Sequence, residues 1–144
     1  MKFAQLCLTI VLATALTPAV FADTNAPANP PAKHADGKKS LKVIDATEAE
    51  KLIAAKSVVV LDVRTAAEFA AGHIGGATNL DFRAKDFRAK VDALPKDQAY
   101  LVNCAAGVRS AKACEIMGEL QFKTLFDLKG GMKAWEAAGK PVAK

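Results

Sequence analysis

Cysteine is scarce in this sequence. The chain of 144 residues contains three, too few for a disulfide framework. Glycine and proline are modest, at 9 and 6, and the apolar fraction is 51%. Together these values exclude a collagen-like chain, a coiled coil and wholesale disorder. Excess charge is thin: 20 Lys+Arg stand against 15 Asp+Glu, a net +5, and the basic residues are scattered. No dense basic stripe or reading motif calls for a nucleic-acid partner. The apolar run over residues 3–16 falls short of the roughly 18 residues a membrane span needs. The length suits one domain and leaves no room for two independent cores.

What is present begins with an address. Met1-Lys2 supplies a short positive start, and the apolar run follows without a charge. Small residues come next, and Val20-Phe21-Ala22 ends on a small side chain. This pattern predicts a secretory signal peptide over residues 1–22, cut after Ala22. Cys7 sits too near the start for lipid attachment, and Ala4-Gln5-Leu6 before it are the wrong residues. The expected location is periplasmic or secreted, with no stable membrane association after cleavage. Two cysteines, Cys104 and Cys114, would remain.

Residues 23–39 (DTNAPANPPAKHADGKK) hold no large apolar side chain. Such a segment cannot bury enough surface to order itself, so a flexible Pro/Ala-rich linker is expected. The texture changes at Ser40, where a domain over residues 40–144 begins. Strands are predicted over 41–44, 58–61, 77–80, 99–103 and 124–127. Val58-Val59-Val60-Leu61 is a continuous apolar run of the kind buried on both faces. Thr47 with Glu50, and Thr65 with Glu68, each fit a capping box that opens a helix. Further helices are expected over 87–94, 109–120 and 132–138. The tandem DFRAK at residues 81–90 matches no structural period and is treated as accidental. Strands alternating with short helices imply an α/β fold with a mainly parallel sheet covered on both faces. Ligands in such sheets bind beyond the carboxyl ends of the strands.

The loop Cys104-Ala105-Ala106-Gly107-Val108-Arg109-Ser110 occupies that kind of position. A buried strand ends, a small-residue loop follows, and a helix begins. Small side chains let the loop curl round one sulfur, so that the backbone N–H groups of 105–108 form an anion nest. The helix adds the positive end of its dipole. Both favour thiolate over thiol and lower the expected pKa of Cys104. Gly107 allows a backbone twist that other residues resist. Arg109 offers a planar, permanently charged fork suited to an oxyanion. The pattern describes an anion pocket beside a nucleophilic sulfur. Cys114 lies in the helix among core-facing residues and is expected to be a free, largely buried thiol.

These residues resemble the rhodanese-like sulfurtransferases in their single-domain, exported form. Four segments carry the resemblance: LDVRTAAEFAAGHIGGATNL (61–80), CAAGVRS (104–110), FDLKGG (126–131) and GMKAWEAAGKPV (131–142). The resemblance implies a single five-stranded parallel sheet flanked by helices. It implies that Cys104 takes sulfane sulfur from a donor such as thiosulfate, becomes a persulfide, and passes the sulfur to cyanide or a thiol. Such covalent catalysis needs no metal and no organic cofactor. Related phosphatases and arsenate reductases of this fold carry a loop one residue longer; four residues separate Cys104 from Arg109 here. The smaller ring suits sulfur better than phosphate. Many active relatives carry a basic or hydroxyl side chain in the loop, where this chain has Ala105 and Ala106. Weaker thiosulfate affinity, or a persulfide donor, is the expected consequence.

Asp62 and Arg64 follow a strand, and the resemblance implies that they brace the catalytic loop. An ion pair with Glu68 or another surface acid is the plainer alternative. His73 is read as fastening a turn by hydrogen bonds rather than acting as a base. Trp135 and Met132 are expected in the core. Phe82 is a candidate pocket wall, and Arg83 and Arg88 belong to a solvated helix face. The small-molecule partners implied are a sulfur donor and a thiophilic acceptor, with a thiol reductant or sulfur-relay protein beside them. A persulfide carrier with little turnover is the main alternative function. A phosphatase or arsenate reductase, and a thiol oxidoreductase using Cys104 and Cys114, are further ones.

Overall fold

A computed structural model describes residues 40–144. The predicted signal peptide and linker lie outside the described residues. Five strands, β1 (Ser40–Ile44), β2 (Val59–Asp62), β3 (Thr78–Asn79), β4 (Ala99–Asn103) and β5 (Thr124–Leu128), form one sheet. Its order is β1-β5-β4-β2-β3, and every pairing is parallel. Five helices alternate with the strands: α1 (Ala46–Ala54), α2 (Ala66–Ala71), α3 (Phe87–Asp92), α4 (Val108–Glu119) and α5 (Gly131–Ala137). The α/β class and the helix-flanked five-stranded parallel sheet stand as the sequence implied.

Two apolar layers hold the sheet, one on each face. Val102 and Leu125 meet Phe87 and Val91 of α3 and Ala113 and Met117 of α4. On the other face Val60, Leu101 and Leu128 meet Ala46 and Ala49 of α1 and Met132 and Trp135 of α5. All five residues of β4 are buried, which is why AYLVN opens on an apolar run and closes on a buried Asn103. Burying a large apolar side chain contributes about 1.5–3 kcal/mol. Trp135 is buried with its indole N–H satisfied by the Pro141 carbonyl at 2.9 Å. Tyr100 sits edge-on to Phe122 and donates to the Pro95 carbonyl.

Helix starts follow local chemistry, with one correction. Thr65 and Glu68 form the reciprocal capping box expected of them. Thr47 does not cap α1; Asp45 does, accepting from the Thr47 and Glu48 amides at 2.9 and 2.8 Å. A carboxylate two residues earlier takes the free amides, so Thr47 falls inside the first turn. Its spacing to Glu50 imitated a box.

The topology also positions the site. From β2 the chain moves through α2 to β3 at one edge; from β4 it moves through α4 to β5 on the other side. The loops after β2 and β4 therefore diverge between adjacent strands. That divergence opens a crevice at the carboxyl ends, the usual ligand position of an open α/β sheet.

Candidate active site

Cys104 follows the last residue of β4 and lies in that crevice, almost fully buried. The chain turns sharply after it. Gly107 adopts φ +94°, a left-handed conformation that favours glycine, and its N–H points back at the Cys104 sulfur at 3.1 Å. Burial alone would push this thiol up. The Ser110 amide and hydroxyl and the Ala106 and Gly107 amides outweigh burial and leave its pKa below the ordinary value. Each of those donors stabilises negative charge on sulfur.

The loop is also clamped from α5. The Met132 and Lys133 amides donate to the Cys104 and Ala105 carbonyls at 2.7 and 3.1 Å. Gly131, at φ +58°, makes this approach possible: a Cβ there would stand 2.2 Å from the Cys104 carbonyl oxygen. The Gly130-Gly131 pair thus does more than open a helix. It lets the last helix hold the loop from beneath.

Arg109 does not point freely into the crevice. Its guanidinium makes two parallel hydrogen bonds to Glu68, Nη2 to Oε1 at 2.7 Å and Nη1 to Oε2 at 2.9 Å. Glu68 is held well below the usual carboxylate range, first by Arg109, against a smaller opposing effect of burial, with Thr65 adding hydrogen bonds. The same carboxylate therefore caps α2 and fixes the arginine of α4. Of the five N–H donors of Arg109, three remain for a ligand. Sequence reasoning missed this partnership, placing Glu68 in the cap or against Arg64.

Asp62 and Arg64 turn on each other. The Arg64 Nε lies 3.0 Å from both carboxylate oxygens, and its Nη2 lies 2.7 Å from Oδ2. Nη2 also donates to the Gly72 carbonyl at 2.7 Å. Both residues are buried, and the pair ties the end of β2 to the end of α2. Among the described residues no hydrogen bond from either side chain reaches the Cys104 loop. At a strand end, an arginine two residues after an aspartate can fold back bidentately, which also takes it away from Glu68.

His73 behaves as a fastener. Its ring stacks on Phe69 at 3.9 Å, its Nδ1 lies 3.2 Å from the Phe69 carbonyl, and its backbone bridges Ala143. Phe82 packs edge-on against Phe87 rather than standing alone as a wall. Arg88 pairs with Glu119 at the surface. Ala106 and Val108 are exposed beside the loop. Cys114 is a free, buried thiol, pushed up to about 12 first by burial. Among the described residues no group of His, Cys, Asp and Glu is placed to hold a metal ion.

A sulfur ringed by donors that favour the thiolate, at the diverging point of a parallel sheet, fits the class of α/β enzymes built around a cysteine nucleophile. Comparison with known proteins narrows that class. The rhodanese-like domain matches residues 45–138, and the chain belongs to this family, as a rhodanese-like enzyme. It is 38% identical over 92 residues to YtwF of Bacillus subtilis, covering 64% of this chain and 86% of that one. It is 30% identical over 99 residues to the thiosulfate sulfurtransferase GlpE of Shewanella oneidensis, covering 69% and 96%. The crystal structure of a rhodanese-related protein from Thermoplasma volcanium superposes with a TM-score of 0.64 at 34% identity. That match covers 71% of this chain and 97% of the other.

Proposed function

We propose that this enzyme moves sulfane sulfur from thiosulfate, or from a persulfide donor, to a thiophilic acceptor through a persulfide on Cys104. One observation carries the reading: a buried sulfur whose surrounding donors favour the thiolate. The relatives named as sulfurtransferases support it. In the first step the Cys104 thiolate attacks the outer sulfur of thiosulfate. The new S–S bond forms as the old one breaks, and sulfite leaves with the electron pair. In the second step an acceptor thiolate or cyanide attacks the outer sulfur, and Cys104 leaves again as thiolate. The donors around Cys104 favour its thiolate, so the attack calls for no separate base.

The free N–H groups of Arg109 and the backbone amides of Ala105, Ala106, Gly107 and Val108 hold the oxyanion end of the donor. Glu68 presents Arg109 in a fixed orientation. Asp62, Arg64 and His73 support the frame around the crevice. The alanines at 105 and 106 supply no side-chain donor, which favours an uncharged or thiol-borne persulfide over thiosulfate. The run over residues 3–22 supports export to the periplasm or beyond, with cleavage after Ala22. There a thiol reductant or relay protein accepts the sulfur. Intact mass after thiosulfate, followed by a thiocyanate assay on adding cyanide, tests the sulfur chemistry. N-terminal mass of the exported protein tests the address.

A further inference from the structure

The tandem DFRAK at residues 81–90 folds into two unlike halves. The first copy lies in the loop between β3 and α3, and the second opens α3. Phe82 and Phe87 meet edge-on, and the cations of both copies face solvent. In the second copy Arg88 pairs with Glu119, and Lys90 with Asp86. In the first copy Arg83 and Lys85 enter no ion pair among the described residues. The Phe82 amide donates to the Val63 carbonyl at 3.2 Å, which holds this loop at the carboxyl end of β2. It thus stands on one flank of the Cys104 loop, since β2 neighbours β4.

A second pair of cations stands on the other flank, after β5. Lys129 and Lys133 are exposed, and neither enters an ion pair among the described residues. The Lys133 amide donates to the Ala105 carbonyl, and a Cβ on Gly107 would stand 3.3 Å from the Gly130 nitrogen. Both lysines therefore border the Cys104 loop. The carboxylates of these strand-end loops are already engaged. Asp45 and Asp81 accept backbone amides, Glu48 holds Lys42, and Glu68 holds Arg109. Positive charge is left on both sides of the sulfur. Between the two flanks Ala106 is exposed and Val108 is 67% exposed. An apolar centre inside a charged rim is the anatomy of a docking surface.

The span decides the occupant. The order β5-β4-β2-β3 puts three strand spacings between the two pairs of cations, roughly 14 Å. A small sulfur anion cannot bridge that distance, whereas a protein surface can. We propose that this face docks an acidic protein that presents a thiol to Cys104 as sulfur acceptor. The proposal rests on the persulfide reading and names the partner of that same site. The partner's thiolate attacks the outer sulfur of the Cys104 persulfide. A new S–S bond forms, the bond to Cys104 breaks, and Cys104 leaves as thiolate. Cys104 is almost fully buried, so the incoming thiol stands on a protruding segment, with acidic side chains on both sides of it. Complementary charge of this kind steers encounter and fixes orientation.

The test follows sulfur transfer from the loaded full chain to single-cysteine peptides that differ only in flanking residues: glutamates, serines or lysines. Rates are expressed per thiolate, because flanking charge shifts the ionisation of each cysteine. At low ionic strength the glutamate peptide is expected to react roughly tenfold faster than the serine peptide, and the lysine peptide slower than either. High salt removes the difference. Arg83→Gln with Lys85→Gln, and Lys129→Gln with Lys133→Gln, each take away part of the advantage, and the four together take away all of it. Transfer to 2-mercaptoethanol stays within about twofold throughout. Equal rates for the three peptides, an advantage insensitive to salt, one that survives all four substitutions, or one lost from a single flank alone overturns the proposal. Pelleting with phosphatidylserine vesicles in place of any peptide preference assigns the face to a membrane and also overturns it. Intact mass after loading separates the failures. A protein that carries the extra sulfur but shows no preference loses only this inference. One that loads from neither thiosulfate nor a persulfide donor loses the persulfide reading with it.

Discussion

Glu68 and Arg109, 41 residues apart in the chain, meet in a two-point ion pair that joins α2 to the first turn of α4. The pair aims a permanently charged fork beside the Cys104 loop and spends part of its hydrogen-bonding capacity doing so. Orientation matters more than bare charge here, because an exposed charge is screened by solvent whereas a fixed fork keeps its geometry. Glu68→Gln keeps a group able to complete the cap but removes the carboxylate. The KM for thiosulfate rises about threefold to tenfold, with a smaller change in kcat. Arg109→Lys behaves alike, since an ammonium cannot replace two parallel bonds. Steady-state kinetics of both variants check this.

The same pair shapes the acid side of the stability curve. The pKa of Glu68 is lowered in the folded protein, so the unfolded chain binds its proton first as pH falls. The stabilisation is complete above the ordinary glutamate value of 4.5 and is lost progressively below it. Denaturant midpoints from neutral to acid pH show this loss in the wild type and a flatter acid limb in Glu68→Gln. Both side chains are partly exposed, and solvent screening keeps the effect at about 1 kcal/mol or less.

Gly131→Ala tests the clamp from α5. Its methyl would meet the Cys104 carbonyl oxygen at 2.2 Å, in a backbone conformation that disfavours alanine. Destabilisation of about 3 kcal/mol or more follows, and alkylation of Cys104 slows as the loop shifts. Thermal melts and iodoacetamide rates report the two effects separately.

Much of this was legible in local pattern. The Thr65–Glu68 cap, the buried β4 run and the small-residue loop each declare themselves within a few residues. Asp45 was overlooked because Thr47 and Glu50 offer the same cap signature two residues further on. The second role of Glu68 was invisible for a different reason: its partner arrives through the fold, across a crossover. Gly131 against Cys104 is likewise a contact between elements that only the parallel topology brings together. Asp62 and Arg64 were legible as candidates at a strand end, but their pairing with each other was not, and Arg64 also donates to the Gly72 carbonyl.

Ala106→Ser adds a hydroxyl to the loop where the natural residue has none. One new hydrogen bond to an anionic donor, about 1 kcal/mol, lowers the thiosulfate KM roughly fivefold. An unchanged KM would show that donor binding is not limited at this position.

The two cysteines differ in reactivity. Cys104 is favoured as thiolate, whereas burial, followed by the nearby Asp127 and Cys104, pushes Cys114 up to about 12. At neutral pH iodoacetamide labels Cys104 at least about 100-fold faster than Cys114 in the folded protein. Peptide mass mapping reads the ratio, and the free-thiol count stays at two for residues 40–144.

The most direct measurement is the intact mass of the protein after thiosulfate, with Cys104→Ser beside it and cyanide added afterwards. The persulfide account predicts a gain of one sulfur atom on the wild type alone, its loss on cyanide, and thiocyanate formed over repeated cycles. Sulfur gained equally by Cys104→Ser, or no gain from thiosulfate and none from a persulfide donor, would contradict it.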